Sequence, residues 1–357
     1  MLVFLVVSSH QMKTKKFIIG VLVPISVFFL FSCGTGNDGK NDPGLSDSVM
    51  AKYKDNAELQ SVTRKIMDNP SEDSLYWDRA HIYLKLQDFE LAEGDAKRAL
   101  SLDSSTSKNY LLLTDVYYMA NQTRKAKQTL ERCLISLPKD KDALLKLAEL
   151  FFYVKKYAES LEQINKALEI DNYLSKAYFL KGMNYMEAGD TAKAISSLQT
   201  AVEQDNEYYS AYMQLGLLHF YKKNKLCSDY FDNALRLKPN STEALYGKGF
   251  YFQETGKMKE AKQYYEKIIS IDPKHKDALF NLGALALAIE NNPAVAKKYF
   301  SDVIDIDSNY TKAWYSRGVC NEKLKYKEAA IKDYQMALKL TENYEPALSA
   351  LNKIDSK

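Results

Sequence analysis

The residues able to carry chemistry here are few and far apart. Among 357 residues there are four cysteines, Cys33, Cys133, Cys227 and Cys320, and four histidines, His10, His81, His219 and His275. A metal site would pair such residues within a helical turn or a short loop, yet no C-x-x-C or H-x-x-x-H spacing occurs. A serine nucleophile would show as G-x-S-x-G and a phosphate cradle as a P-loop, and neither is present. Gly34, Gly36 and Gly39 do spell G-x-G-x-x-G. That fingerprint needs a strand before it and a helix after it, whereas an apolar run precedes this copy and a polar tract follows. The 46 carboxylates alternate with lysines in the manner of solvated helix faces. The expectation is a non-enzymatic chain with no cofactor, no metal and no small-molecule substrate.

Cys33 is the exception, because of what surrounds it. It closes Leu30-Phe31-Ser32-Cys33, behind an apolar run over 17–31 that Lys13, Lys15 and Lys16 precede. A basic start, an apolar stretch of about 15 residues and a small residue at the cut describe a secretory signal over 1–32, not a spanning helix. Pro24 inside the run weakens a span further. The ending resembles the lipobox of bacterial lipoproteins. That resemblance implies cleavage before Cys33, diacylglycerol on its thiol and an acylated new amine, and several acyl chains anchor durably. The competing reading is an uncleaved inner-membrane anchor. Met1 to Val7 carry no positive charge, which makes Met12 the expected true start and discards His10 with the leader. Residues 34–44, rich in Gly, Asn, Asp and Lys, read as a flexible tether. The expected location is a bacterial membrane, with Gly34 compatible with outer-membrane delivery and the body facing periplasm or exterior.

Composition narrows the partners. The chain has 49 basic and 46 acidic residues; losing Lys13, Lys15 and Lys16 leaves 46 of each. A neutral chain with interspersed signs is a poor polyelectrolyte ligand, so nucleic acid is excluded as a partner. The 26 tyrosines, against 15 Phe and 2 Trp, need an architectural reason.

A period of 34 residues supplies it. Tyr83, Ala92 and Ala99 recur as Tyr117, Ala126 and Cys133, then as Phe151, Ser160 and Ala167, then as Tyr185, Ala194 and Ala201. Eight units follow: 73–106, 107–140, 141–174, 175–208, 209–241, 242–275, 276–310 and 311–344, the fifth one residue short and the seventh one long. Position 4 carries rings (Tyr76, Tyr110, Tyr178, Tyr212, Trp314), and so does position 11. Position 8 is small (Ala80, Ala148, Gly182, Gly216, Gly249, Gly283, Gly318), as is position 20 throughout. Positions 4, 8 and 11 share one helical face. Pro138, Pro239 and Pro273 close units where a second helix must stop.

This pattern resembles the tetratricopeptide repeat family over about three quarters of the chain. The resemblance implies an all-α, right-handed superhelical solenoid of antiparallel helix pairs. Position 11 departs from it at His219, Ala286 and Asn321, which predicts looser filling there, with His219 read as a core histidine whose hydrogen bonds are met. Cys133, Cys227 and Cys320 fall at packing positions and read as buried small residues. The region 45–72, with a lone helix over Ala57–Asp68, and the stretch 345–357, with a helix over 345–354, read as caps that let the stack end in water.

In this family the first helices line a concave groove through positions 2, 5, 9 and 12. At position 9 the first three units have His81, Asp115 and Glu149, and later ones Met183, Leu217, Phe250, Ala284 and Val319. The groove is therefore expected to run from polar-acidic to apolar. Its protein-binding residues are read as Met183, Met186, Met213, Leu217, Phe220, Tyr246, Phe250, Phe280, Tyr315 and Val319. The competing reading packs these side chains against neighbouring first helices. A clamp for a carboxy-terminal tail, which pairs Lys at position 5 with Asn at position 9, occurs in none of the eight units. The functional expectation is a membrane-anchored scaffold for an unidentified protein partner in the cell envelope. The alternative is a structural subunit of an envelope assembly machine that docks through its convex face or caps.

Overall fold

A computed structural model of the chain describes residues 47–355. The signal, Cys33 and the tether lie outside the described residues. Among those described are nineteen helices and no strand. Two helices lead in, α1 (Asp47–Lys52) and α2 (Ala57–Asp68). Four pairs follow: α3 (Asp73–Lys85) with α4 (Phe89–Leu102), α5 (Lys108–Met119) with α6 (Thr123–Ser136), α7 (Lys141–Tyr153) with α8 (Tyr157–Ile170), and α9 (Ser175–Glu187) with α10 (Thr191–Gln204). Four more complete the stack: α11 (Tyr209–Tyr221) with α12 (Leu226–Leu237), α13 (Thr242–Glu254) with α14 (Met258–Ile271), α15 (Lys276–Ala288) with α16 (Pro293–Ile306), and α17 (Thr311–Lys323) with α18 (Lys327–Leu340). α19 (Glu345–Asp355) closes it.

From α2 onward each helix packs on its sequence neighbours, and α3–α5, α7–α9, α11–α13 and α15–α17 also touch as successive first helices. The chain is thus an all-α solenoid whose core is a chain of unit cores rather than one centre.

Size complementarity between positions 8 and 24 holds each pair together. A Cβ added to Gly182, Gly216, Gly249, Gly283 or Gly318 would come within 2.6–3.0 Å of Leu198, Phe231, Tyr265, Phe300 or Tyr334. Those large side chains fill the space a Cβ would take, and all five are almost fully buried. Units one to three, with aliphatic residues at position 24, carry a side chain at position 8: Ala80 with Ala96, Thr114 with Leu130 and Ala148 with Ile164.

Position 15 makes the turn between the two helices of each unit. It is left-handed in seven of the eight units, at Gln87, Asn121, Lys155, Gly189, Lys223, Gly256 and Lys325. Only two of the seven are glycine, so the turn is imposed by the packing of the pair and not by local preference. Unit seven shifts it to Asn291, where its extra residue is absorbed, and Pro293 opens α16 at a position that needs no amide donor.

The ends are closed as amphipathic caps. α2 buries Leu59, Val62, Thr63 and Ile66, while Ala347 and Ile354 of the last helix join Ala330, Tyr334 and Ala337. α1 is an element that the hydrophobic pattern does not reveal. It is held at its C-terminal end, where Lys52 Nζ and Tyr53 Oη each lie 2.7 Å from Asp88 Oδ2 in the turn of unit one.

The looser filling expected at position 11 is only partly found. Asn321 does not leave a gap: its amide donates to Asp333 at 2.8 Å. His219 is 6% exposed and stacks on Tyr230, but neither ring nitrogen has a hydrogen-bond partner, which corrects the reading of a satisfied core histidine.

Candidate protein-binding groove

In units four, six, seven and eight the position-5 ring covers a ring in the turn that ends its own unit, which buries Phe179 and half-buries Tyr246, Phe280 and Tyr315. Phe179 packs on Tyr208, Tyr246 on His275, Phe280 on Tyr310 and Tyr315 on Tyr344, with centroids 5.0 to 5.7 Å apart. His275 is fixed there as the N-cap of α15, its Nδ1 accepting from the Ala278 amide at 3.3 Å. Met183 and Met213 are 4% and 8% exposed and belong to unit cores. Met186 packs half-buried against the unit-four core, and Val319 with Tyr315 against the unit-eight core.

What remains is centred on units five and six. Phe220 lies 5.3 Å from Phe250, and Phe250 lies 6.1 Å from Tyr246 with ring planes only 11° apart. Leu217 flanks them on α11, and all four side chains are half-buried. Asn281 donates to the Tyr246 hydroxyl at 3.2 Å, and burial, reinforced by the Asp277 charge, pushes that phenol up to about 12. Tyr246 therefore stays neutral, an amphipathic ring at the rim of an apolar patch.

Polar residues at position 12 interrupt the strip for a packing reason. Gln253 accepts a hydrogen bond from Tyr265 at 3.0 Å, and Glu322 accepts one from Tyr334 at 3.0 Å. The six units with an apolar residue at position 24 need no such acceptor, and their position 12 is apolar or aromatic: Leu84, Tyr118, Phe152, Met186, Phe220 and Leu287.

The proximal half is polar, but its acidity is cancelled. Lys146 pairs with Asp115, and Lys176 Nζ lies 2.8 Å from Glu149. Burial alone would lower the Lys146 ammonium, yet the neighbouring acids outweigh it and hold the group above its ordinary value. His81 stacks on Trp77 with centroids 3.8 Å apart.

Ion pairs within the first and last units escape reading by hydropathy, and polar contacts at the same position recur between middle units. Arg79 at position 7 binds Asp95 at position 23 through two bonds of 2.7 Å, and Arg317 binds Asp333 the same way in unit eight. In the middle units Lys181 reaches Asn165 at 3.2 Å and Lys248 reaches Asp232, both in the preceding unit. The signal was available as polar residues at position 7 with partners sixteen residues away.

Cys133 and Cys320 are buried, and burial pushes their thiols up to about 11; Cys227 is raised by burial as well. Such thiols are poor nucleophiles. No group of three His, Cys, Asp or Glu could hold a metal among the described residues. Two recesses of about 450 and 480 Å³ are open hollows at the turns ending units five and six, near Tyr209 and His275.

The family profile of the tetratricopeptide repeat matches residues 73–106, 175–208, 242–275 and 311–344, which coincide with units one, four, six and eight. This is a tetratricopeptide repeat protein. Tetratricopeptide repeats generally act as protein-interaction scaffolds, and the stacked helix pairs here have that architecture. Its fold is shared with the C-terminal part of a TPR repeat-containing protein from Cytophaga hutchinsonii, 17% identical, covering 67% of this chain and 98% of that one at a TM-score of 0.56. It is shared also with pilF of Pseudomonas aeruginosa, 15% identical, covering 60% of this chain and 97% of that one at 0.52. Anaphase-promoting complex subunit 3 of Schizosaccharomyces pombe is 20% identical over 211 residues, 59% of this chain and 32% of the relative. The chain spans between 20% and 57% of that relative and the two that rank beside it.

Proposed function

We propose that this repeat protein is a non-catalytic scaffold anchored in a bacterial envelope membrane by acyl groups on Cys33, and that it holds an apolar segment of a protein partner against units five and six. The observation that carries the reading is the Phe220–Phe250–Tyr246 cluster, which bridges α11 and α13 and keeps part of every ring open. Aromatic anchors of this kind contribute most of the energy in protein interfaces, about 2 kcal/mol or more each when fully covered. The Leu-Phe-Ser-Cys33 sequence supports the anchor.

The test is co-purification of a C-terminally tagged chain from detergent-solubilised envelopes, with wild type and Phe250→Asp compared after circular dichroism has checked both folds. Selective loss of one partner supports the groove. An unchanged set of partners with a folded variant removes the groove from consideration and moves the working surface to the convex face or caps. Anchoring is read separately, as incorporation of a labelled fatty acid that Cys33→Ala abolishes.

A further inference from the structure

The edge formed where first helices end and the intra-unit turns begin carries an apolar patch that meets the groove only at Tyr118, position 12 of unit two. In units one to three, Leu86, Tyr118, Met119, Tyr153 and Val154 are all exposed, Tyr153 by 61%. Tyr118 and Tyr153 meet edge to face at 5.3 Å, so successive units contribute to one surface. Soluble chains seldom leave such residues adjacent and open without a use.

Two observations say what covers them. The first is where the described chain begins. Lys52 and Tyr53 pin α1 to Asp88, which lies in the unit-one turn on this same edge. The described chain therefore enters the solenoid beside the patch, and a stretch of fourteen residues such as 33–46 reaches at most about 50 Å. The second is charge. Residues 119–125 and 153–159 of units two and three hold Arg124, Lys125, Lys155 and Lys156 against the single acid Glu159, whereas residues 86–92 of unit one hold Asp88 and Glu90 and no base. Two copies meeting through this edge would bring like charges together, whereas anionic headgroups would accept them.

We propose that the unit-two and unit-three part of this edge lies on the membrane, its tyrosines, Met119 and Val154 entering the headgroup region while the neighbouring bases contact anionic lipid. Tyrosine is suited to that depth, and lysine stems can lie along apolar surface with the charge outward. The inference rests on the anchoring of Cys33 proposed above, since a tether of that length only brings the edge within reach.

The test uses the chain from residue 33 with Cys33→Ser, which keeps every described helix and both caps but has no lipid. It is sedimented with phosphatidylcholine vesicles, with and without one third phosphatidylglycerol. Binding should appear with anionic vesicles, fall in high salt, and drop on the order of tenfold in Lys155→Glu/Lys156→Glu and in Tyr153→Asp. Ile135→Asp, at a site 81% exposed on α6, should bind within twofold of wild type. Melting temperatures of these surface variants check the fold. Three results would overturn the proposal: no preference for anionic over neutral vesicles, an equal loss in Ile135→Asp, or a dimer abolished by Tyr153→Asp without vesicle binding. Because the assay contains no acyl chain, its failure leaves the fatty-acid labelling of Cys33 to stand or fall alone.

Discussion

Arg79 closes two parallel hydrogen bonds of 2.7 Å on Asp95 across the helix pair of unit one, with the two side chains 0% and 5% exposed. Units two, three, five and seven put Leu113, Leu147, Leu215 and Leu282 at the position of Arg79. The scaffold therefore accepts either an ion pair or a leucine in this place. A buried pair of this kind adds little net stability over an apolar filling, because desolvation offsets the attraction, but half of one is costly.

Asp95→Ala should consequently destabilise the chain by about 3–5 kcal/mol, by leaving the guanidinium buried without its carboxylate. Arg79→Leu/Asp95→Thr, which copies Leu113 and Thr129 of unit two, should lie close to wild type. Urea midpoints of the three chains decide it, and a double variant as weak as the single would show that the charges themselves are needed.

The pairing of positions 8 and 24 yields a second expectation. A Cβ on Gly283 would lie 2.7 Å from the Phe300 ring, so Gly283→Ala should cost about 1–3 kcal/mol through overpacking. Adding Phe300→Ile recreates the Ala148/Ile164 combination of unit three and should recover most of that loss. A double-mutant cycle in thermal unfolding measures the coupling, which should be favourable and at least about 1 kcal/mol.

These two cases mark what the sequence makes legible. The 34-residue period, the helix pairs and the small column at position 8 are visible because the same packing demand is repeated in line. Complementarity between Gly283 and Phe300 needs two columns read together. The half-burial of Tyr246 was out of reach, since its cover, His275, comes from the turn closing the unit, and the neutralised acids Asp115 and Glu149 depend on lysines of α7 and α9. α1 is six residues long and too short to show a period.

His219 gives a pH dependence. Burial first, and the Lys222 charge second, lower its imidazole below the ordinary value of 6.5, and neither nitrogen is satisfied. The unfolded chain then binds the proton more readily than the folded one. Stability is full above about pH 6.5 and declines as pH falls from there toward the lower folded value. His219→Phe, which restores the ring that Phe151 and Phe252 supply in other units, should raise stability by about 1–3 kcal/mol and flatten this decline. Urea midpoints at pH 7.5 and 5.5 for both chains test the sign; an equal slope in the variant would assign it to other groups.

Asp88 couples the start of the described chain to the first turn of the solenoid. Partial burial would raise its carboxyl, but hydrogen bonds from Lys52 and Tyr53, with the Leu91 amide, outweigh this and hold it below the ordinary value of 3.8. The contribution of the contact is present above that value and is lost as pH falls through the folded one, so α1 should stay docked at neutral pH and release in strong acid. Asp88→Asn retains the N-cap on α4 while discarding the charge that Lys52 meets. Amide exchange over residues 49–55 should accelerate by about tenfold at neutral pH, with α3 and α4 unchanged. Exchange that accelerates equally in α4 would mean that the side chain acts as a cap alone, and that α1 is held by the Tyr53–Tyr83 contact of 5.9 Å instead.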